Sequence, residues 1–171
     1  KGSICIAHNG NLVNSLELRQ YLEKRGSIFQ TTTDSELIIH LMARSHSPDI
    51  KESLLYALRR VKGAYSLVMM NSQYLIGVRD PLGFRPLCLG KLGPAWCLAS
   101  ETCALDLIGA KLVREIDPGE IVFINKDGLK SLRPKELRHK RYAHCTFEHV
   151  YFARPDSVVF GETVHVVRQK L

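Results

Sequence analysis

The chain has 171 residues and a mass of 19.3 kDa, which suits one domain, or one domain with a short piece of a second. Hydrophobic residues make up 45% and charged residues 24%, which excludes a disordered or collagen-like chain. The formal net charge of +7 allows an acidic partner but does not require one.

The pattern along the first third of the chain predicts one strand followed mainly by helices. Apolar spacing and capping-type residues mark the helix starts, including the capping-box pattern at Thr33-Asp34-Ser35-Glu36. The predicted elements, in order, are a strand over 3–8 ending in a turn at 8–11, a helix starting at 14–17 and stopping at Gly26, a strand over 28–30, a helix from 33 through 42, and a helix over 50–61.

After Gly63 the period of the apolar residues changes from helical to strand-like. The predicted elements there are strands over 64–70, 74–78, 87–90, 96–99, 112–115 and 120–125, a helix over 101–108, and a hairpin turn over 125–128. Strands joined by short turns beside paired helices predict a layered α+β domain with largely antiparallel sheets. We expect this domain to span 1–132 and residues 133–171 to form a connector.

The charge, the cysteines and the apolar runs limit the partners and the compartment. Residues 126–141 include seven basic and two acidic residues. Only Tyr142 near this run could stack on nucleobases, so a solvated connector is favoured over a phosphate-facing or nucleic-acid surface. No apolar run approaches the ~18 residues that span a bilayer, so no membrane partner is expected. Five widely spaced cysteines, an odd number, predict a reducing, intracellular setting. The apolar start predicts that the chain is an internal fragment.

Asn9-Gly10 is the first candidate for chemistry. Asn-Gly after a strand is a hairpin signal, and that structural interpretation remains open on the residues alone. The functional interpretation uses the Asn9 amide and the Gly10 backbone N–H, which can approach a substrate because glycine has no Cβ. Two adjacent donors of this kind suit the oxyanion formed when a nucleophile attacks an amide or acyl carbon.

Asp34 is the second candidate, at the start of the second predicted helix. An acid in a first helical turn is commonly there only because the helix dipole favours it. Beside three threonines, the Asp34 carboxylate could also hold a cationic group such as an α-amino group.

A nucleophile is harder to find in the sequence. Cys5 and His8 are predicted to point to opposite faces of a strand, and Cys88, Cys97 and Cys103 lie in apolar stretches typical of buried thiols. Gly-x-Ser-x-Gly, a Walker A loop and paired CxxC motifs are all missing from the sequence. The residues therefore predict an acceptor site without an attacking group.

Several motifs resemble a known family, the class II glutamine amidotransferase domain. The motifs are AHNGNLVN (7–14), TTTDSE (31–36), GAYSL (63–67) and RDPLGFRPL (79–87). Three more, ASETCALD (99–106), REIDPGE (114–120) and FEHVYFARPDS (147–157), resemble the amidophosphoribosyltransferases within that class. The resemblance implies an N-terminal-nucleophile hydrolase fold with four αββα layers, here as an incomplete fragment.

The resemblance also implies roles for individual residues. Asn9 and Gly10 match the family's oxyanion hole, and Asp34 matches the residue that binds the amino group of glutamine. The implied nucleophile is an N-terminal cysteine upstream, and a carboxylate-binding arginine is implied there too. A phosphoribosyltransferase domain with Mg²⁺ would follow. The implied function is transfer of ammonia from glutamine to 5-phosphoribosyl-1-pyrophosphate in purine synthesis.

Some implied features depend on which member of the family this is. Cys145 precedes Thr146-Phe147-Glu148, where iron–sulfur members have a cluster ligand, so a 4Fe–4S cluster is an open expectation beside a simple buried thiol. A homo-oligomer is expected, in the cytoplasm by default or in a plastid if a transit peptide was lost. The alternatives are an amidotransferase of the glucosamine-6-phosphate synthase type and a non-catalytic module with the same fold. Arg79, Arg85 and Arg154 receive no functional role, and structural duty is expected for the stretch around Arg79 and Arg85.

Overall fold

A computed structural model describes residues 3–139 and 141–171. The described residues contain two antiparallel sheets stacked between helices, and a separate two-stranded antiparallel sheet near the C-terminal end. The helices are α1 (Ser15–Glu23), α2 (Asp34–Arg44), α3 (Ile50–Leu58), α4 (Thr102–Leu107) and α5 (Val164–Gln169). The strands are β1 (Cys5–Leu12), β2 (Gly63–Met70), β3 (Leu75–Arg79), β4 (Cys88–Leu92), β5 (Ala95–Ala99), β6 (Lys111–Glu115), β7 (Ile121–Asn125), β8 (Gly128–Leu132), β9 (Val158–Val159) and β10 (Glu162–Thr163). Lys135–Leu137 forms a 3₁₀ turn and Glu148–Phe152 a single π-helical turn.

The sheets and helices stack in four layers. The larger sheet has the strand order β1-β2-β3-β7-β8 and the smaller one β5-β4-β6, and every strand pair is antiparallel. Along β7, Ile121 and Phe123 pack with the apolar faces of α1, α2 and α3, whereas Val122 and Ile124 pack between the sheets. Leu105 of α4 covers the other face of the smaller sheet at Cys88. The α+β fold with αββα layers is therefore confirmed.

Three local predictions from the sequence were wrong. Residues 9–11 do not form a turn, because β1 continues through them and pairs with β2 as far as Leu12 opposite Gly63. Residues 28–30 do not form a strand, because the Gln30 amide donates to the Glu36 carboxylate (2.7 Å) instead of to a neighbouring strand. The third helix stops at Leu58 instead of residue 61. The hairpin turn predicted over 125–128 is confirmed, and β8 is its second strand, for which no bounds were predicted.

The predicted helix starts are correct, but their side chains bond elsewhere. Asn14 occupies the N-cap of α1, yet its amide bridges Arg60 O (2.9 Å) and Lys62 N (2.9 Å) and so ties α1 to the entry of β2. Thr33 is the N-cap of α2 without a side-chain cap bond. Glu36 accepts hydrogen bonds from the residue 30 and 31 amides, which fixes the loop just before Asp34.

The segment after residue 132 is anchored to the layered domain. Ala143 N donates to Leu82 O (2.8 Å), Cys145 N donates to Phe84 O (3.2 Å), and Val158 N donates to the Thr102 hydroxyl (2.9 Å). The division of the chain at residue 132 stays a prediction. No helix within the described residues is long and apolar enough to cross a membrane.

The basic side chains of the run over 126–141 are exposed, and Lys140 lies outside the described residues. Arg133 forms an ion pair with Asp117, and Glu136 within the run pairs with Arg59 at 2.6 Å. Exposed pairs of this kind contribute little to stability. The run therefore fits the solvated surface that the sequence favours.

Candidate active site

Asn9 and Gly10 line one pocket of about 340 Å³. The pocket forms where β1 meets the loop between β3 and β4 and the segment after residue 142. Its lining residues are Asn9, Gly10, Asn11, Ala64, Phe84, Arg85, Cys145 and Phe152. The structure thus places the two predicted oxyanion donors and Cys145 together.

Gly10 is a position where only glycine fits. Its φ of +149° is rare for residues with a side chain, and an added Cβ would lie 2.0 Å from Ala64 O and 2.9 Å from Tyr65 Cα. The close approach occurs because Gly10 pairs directly with Tyr65 of β2. The backbone at Gly10 is therefore open to a ligand and tightly packed against the neighbouring strand.

The Asn9 amide is held at both of its ends. Its Oδ1 accepts two hydrogen bonds from Arg85, one from Nε (2.9 Å) and one from Nη2 (2.7 Å). Its Nδ2 donates to Ser100 Oγ at 3.2 Å. An arginine side chain carries donors only, so the Asn9 atom that faces it must be the oxygen, and the NH₂ group must face the other way.

Arg85 is itself fixed through its backbone by the β3–β4 loop. Asp80 is fully buried, and its carboxylate accepts from the amides of Leu82 (2.9 Å), Phe84 (3.2 Å) and Arg85 (3.3 Å). The buried Arg79 donates from Nε to the Arg85 carbonyl (3.0 Å). Burial raises the pKa of Asp80, and these amide hydrogen bonds oppose that effect. Arg79 and Asp80 therefore have the structural duty that the sequence suggests.

The Arg85 guanidinium also contacts the π-helical turn of the C-terminal segment. Its Nη1 lies 3.0 Å from Glu148 Oε1, and the two form an ion pair without the alignment of a hydrogen bond. Its Cζ lies 4.7 Å from the centre of the Phe152 ring. The Arg85 side chain is 17% exposed and that of Glu148 only 3%. Burial raises the pKa of Glu148, and the charge of Arg85 opposes that rise.

Asp34 lies beside the pocket and is not part of its lining. Its Oδ2 accepts a hydrogen bond from Leu12 N at 2.7 Å, which joins the start of α2 to the end of β1. Oδ1 has no hydrogen-bond partner among the described residues, so one carboxylate oxygen is free to take a cation. An extended strand rises about 3.3 Å per residue, so the amides of Gly10 and Leu12 are about 7 Å apart.

His8 lies on β1 between the charges of Asp34 and Arg85. Burial lowers its pKa, while a backbone contact with Ala64 and the Asp34 charge act in the opposite direction. Its Nε2 is buried without a hydrogen-bond partner. The surroundings of His8 therefore favour the neutral imidazole.

The cysteines do not form a metal centre within the described residues, where no group of three His, Cys, Asp or Glu side chains comes together. All five cysteines are free thiols. Cys145 supplies one thiol to the pocket, so a 4Fe–4S cluster would need its other ligands from elsewhere. Cys88 is buried as expected, whereas Cys97 and Cys103 are partly accessible.

A larger cavity of about 540 Å³ lies elsewhere, between α2, α3 and the turn joining β2 to β3. More than half of its lining residues are apolar, and Asn9, Gly10 and Asp34 are not among them. The chemistry of the donor pair, and not cavity size, places the candidate active site at the smaller pocket.

Sequence reasoning missed the role of Arg85, together with Ser100 and Glu148. Arg85 stands in the RDPLGFRPL motif, which drew attention to the stretch but not to a partner. Asn9 is 76 residues away from Arg85 and 91 from Ser100 in the chain, beyond the reach of local patterns. Arg154 is an exposed residue that pairs with Asp156.

Comparisons with known proteins show which family the chain resembles in sequence. The profile of the glutamine amidotransferase domain matches residues 1–107. Amidophosphoribosyltransferase of Bacillus subtilis (strain 168) is 45% identical over 99% of this chain and 35% of its own length. Amidophosphoribosyltransferase 1, chloroplastic, of Arabidopsis thaliana is 48% identical over 98% of this chain and 29% of its own length. This chain thus spans about a third of the length of these relatives.

Solved structures show the same similarity. Glutamine phosphoribosylpyrophosphate amidotransferase from B. subtilis, complexed with ADP and GMP, superposes with a TM-score of 0.92 at 44% identity, over 99% of this chain and 37% of that one. A glutamine aminotransferase class-II domain protein from Silicibacter pomeroyi, at 17% identity and a TM-score of 0.56, shares the fold.

Proposed function

This chain belongs to the glutamine amidotransferase domain family, and on that premise we propose that it is the glutamine-hydrolysing part of an amidophosphoribosyltransferase. The observation that carries the proposal is the placement of Asn9 and Gly10 on the wall of one pocket. Similarity to amidophosphoribosyltransferases over 99% of this chain supports the choice within the family.

The proposed chemistry begins with attack of a thiolate on the side-chain amide carbon of glutamine. The C=O π electrons move to oxygen, and Asn9 Nδ2–H and Gly10 N–H stabilise the resulting oxyanion. The C–N bond then breaks, ammonia leaves with an added proton, and water hydrolyses the thioester to glutamate. The family resemblance assigns the thiolate to a cysteine outside these 171 residues.

Asp34 is proposed to bind the α-amino group of the same glutamine. In extended glutamine the amino nitrogen and the amide carbon are about 5 Å apart. Asp34 is bonded to the Leu12 amide, which lies about 7 Å along the strand from the Gly10 amide. One glutamine molecule can therefore reach both the Gly10 amide and the Asp34 carboxylate. Asp34 Oδ1 would accept from the ammonium group while Oδ2 keeps its bond to the backbone.

The second half of the proposed reaction takes place outside this chain. Ammonia would displace pyrophosphate from 5-phosphoribosyl-1-pyrophosphate and give 5-phosphoribosylamine, with Mg²⁺ bound at the pyrophosphate in a further domain. The five free thiols support an intracellular setting. A homo-oligomer remains a prediction.

The described residues do not fit a 4Fe–4S cluster by themselves. They offer one pocket thiol, Cys145, and a cluster generally needs four thiolates. No step of the proposed chemistry depends on a cluster. The prediction that the full-length protein holds a 4Fe–4S cluster is tested by iron analysis and the visible spectrum after purification without oxygen. A colourless, iron-free protein contradicts the presence of a cluster.

The test of the proposal is glutamine hydrolysis by the full-length protein, measured as glutamate release. Asn9→Ala removes one oxyanion donor and is expected to lower kcat by about 10²–10³-fold. Asp34→Asn is expected mainly to raise the KM for glutamine, because it weakens an ionic contact with the substrate.

Matched controls separate these effects from general damage. Asn125→Ala in the β7–β8 hairpin and Asp106→Asn on the exposed side of α4 change the same residue types away from the pocket. Both are expected to retain the wild-type kcat and KM. Unchanged turnover in Asn9→Ala would exclude the oxyanion role and with it the proposed function.

A further inference from the structure

We propose that Arg85 is a positioning residue that holds the Asn9 amide in its donating orientation, with Glu148 fixing the guanidinium from the other side. The inference rests on the proposed function, since it concerns the same oxyanion site. It adds Arg85 to the two residues, Asn9 and Gly10, that are proposed to stabilise the oxyanion.

The direction of the Asn9 amide depends on Arg85. An asparagine side chain can rotate by 180° and exchange its oxygen for its NH₂ group, and only one of these orientations stabilises an oxyanion. Two Arg85 donors at 2.9 and 2.7 Å hold the oxygen, so the rotated orientation would place NH₂ against the cation. Arg85 therefore excludes the inactive orientation.

The Asn9 nitrogen keeps a hydrogen that can bind a ligand. Nδ2 carries two hydrogens, and Ser100 Oγ accepts one of them at 3.2 Å. Within the described part of the chain, the hydrogen bonds leave the other hydrogen for a ligand in the pocket. Two charged hydrogen bonds at Oδ1 also draw electron density from the amide and make that remaining N–H a stronger donor.

Arg85 is too constrained to be a mobile surface charge. Its amide bonds to Asp80, and its carbonyl accepts from Arg79 Nε (3.0 Å) and Ser66 Oγ (3.1 Å). Its side chain ends against Glu148 at 3.0 Å. The backbone and the guanidinium of Arg85 are both held, so the side chain has little freedom to move. It can therefore fix the position of Asn9.

The experiment is a double-mutant cycle on glutamine hydrolysis by the full-length protein. Arg85→Lys keeps the charge and loses the two-point contact, and we expect kcat to fall about 10- to 100-fold while the KM for glutamine changes less than about twofold. In an Asn9→Ala background the same change is expected to have almost no further effect. Arg59→Lys, at an exposed ion pair, is the matched control and is expected to be neutral.

The outcomes separate the inference from the function. Unchanged turnover in Asn9→Ala alone defeats the proposed function. A normal loss in Asn9→Ala, combined with an Arg85→Lys effect that is either absent or fully additive, overturns only the positioning role. If Arg85→Lys does not fold, Glu148→Gln is used in the same cycle. A severalfold loss of kcat that occurs when Asn9 is present and is absent in the Asn9→Ala variant supports the proposal. An equal loss in both proteins overturns it.

Discussion

Substituting Gly10 by alanine tests the packing that brings the backbone of β1 to the pocket. The added Cβ would lie 2.0 Å from Ala64 O, a backbone atom that can move only if β1 and β2 separate. Strain at a positive φ costs about 1–3 kcal/mol and overpacking about 1–3 more. A total of about 2–6 kcal/mol corresponds to a fall in Tm of about 5–20 °C for a chain of this size.

Gly26→Ala is the matched control for this effect. Gly26 has a φ of +83°, but no atom lies within 4 Å of its added Cβ. Only the conformational cost applies there, about 1 kcal/mol or about 2–4 °C. Thermal unfolding gives both values. Glutamine hydrolysis by the full-length protein is measured well below the lower Tm, where Gly10→Ala is expected to lose most of its turnover. Equal Tm values for the two variants, with full activity in Gly10→Ala, would refute the reasoning.

Two further predictions follow from shifted pKa values. A hydrogen bond from the Thr31 hydroxyl, with one from the Gln30 amide, lowers the pKa of Glu36 to about 2. The stabilisation that the ionised Glu36 carboxylate gives to the fold is thus complete above the unfolded pKa of about 4.3 and is lost as the pH falls through 2. The amount by which Glu36→Gln lowers the Tm should therefore shrink between pH 4.5 and 2. A difference in Tm that stays constant over this range contradicts the prediction. Burial raises the pKa of Cys88 to about 12. At pH 8 iodoacetamide should therefore modify Cys88 at least about a hundredfold more slowly than exposed Cys5, measured by peptide mass spectrometry, and similar rates would contradict the burial.

The layers of the fold could be predicted because the pattern of each segment is local. Alternation along β7 assigns Phe123 and Val122 to opposite faces, and the apolar stripe of α2 faces one side only. The prediction of a turn at Asn9-Gly10 was wrong for the opposite reason. Whether these residues turn or extend is decided by pairing with Tyr65 and Ser66, which lie more than fifty residues away.

The candidate site was predicted in part for the same reason. Asn9, Gly10 and Asp34 could be identified because the chemistry of each residue type suggests its role. Arg85 could not, since an arginine in a turn-rich loop is equally typical of a solvated side chain, and only folding shows that it meets Asn9. Thr33 is a smaller example. The helix start was predicted correctly there, but the Thr33 side chain does not make the predicted cap hydrogen bond.

The distances along the chain between these partners have a kinetic consequence. Asn9 reaches Arg85 and Ser100 only after loops of 76 and 91 residues have closed, and Arg85 reaches Glu148 only when a later segment has docked. Contacts of such long range form late in folding. During refolding, recovery of turnover should therefore trail recovery of the circular dichroism signal, which would make catalysis a reporter of the last stage of assembly.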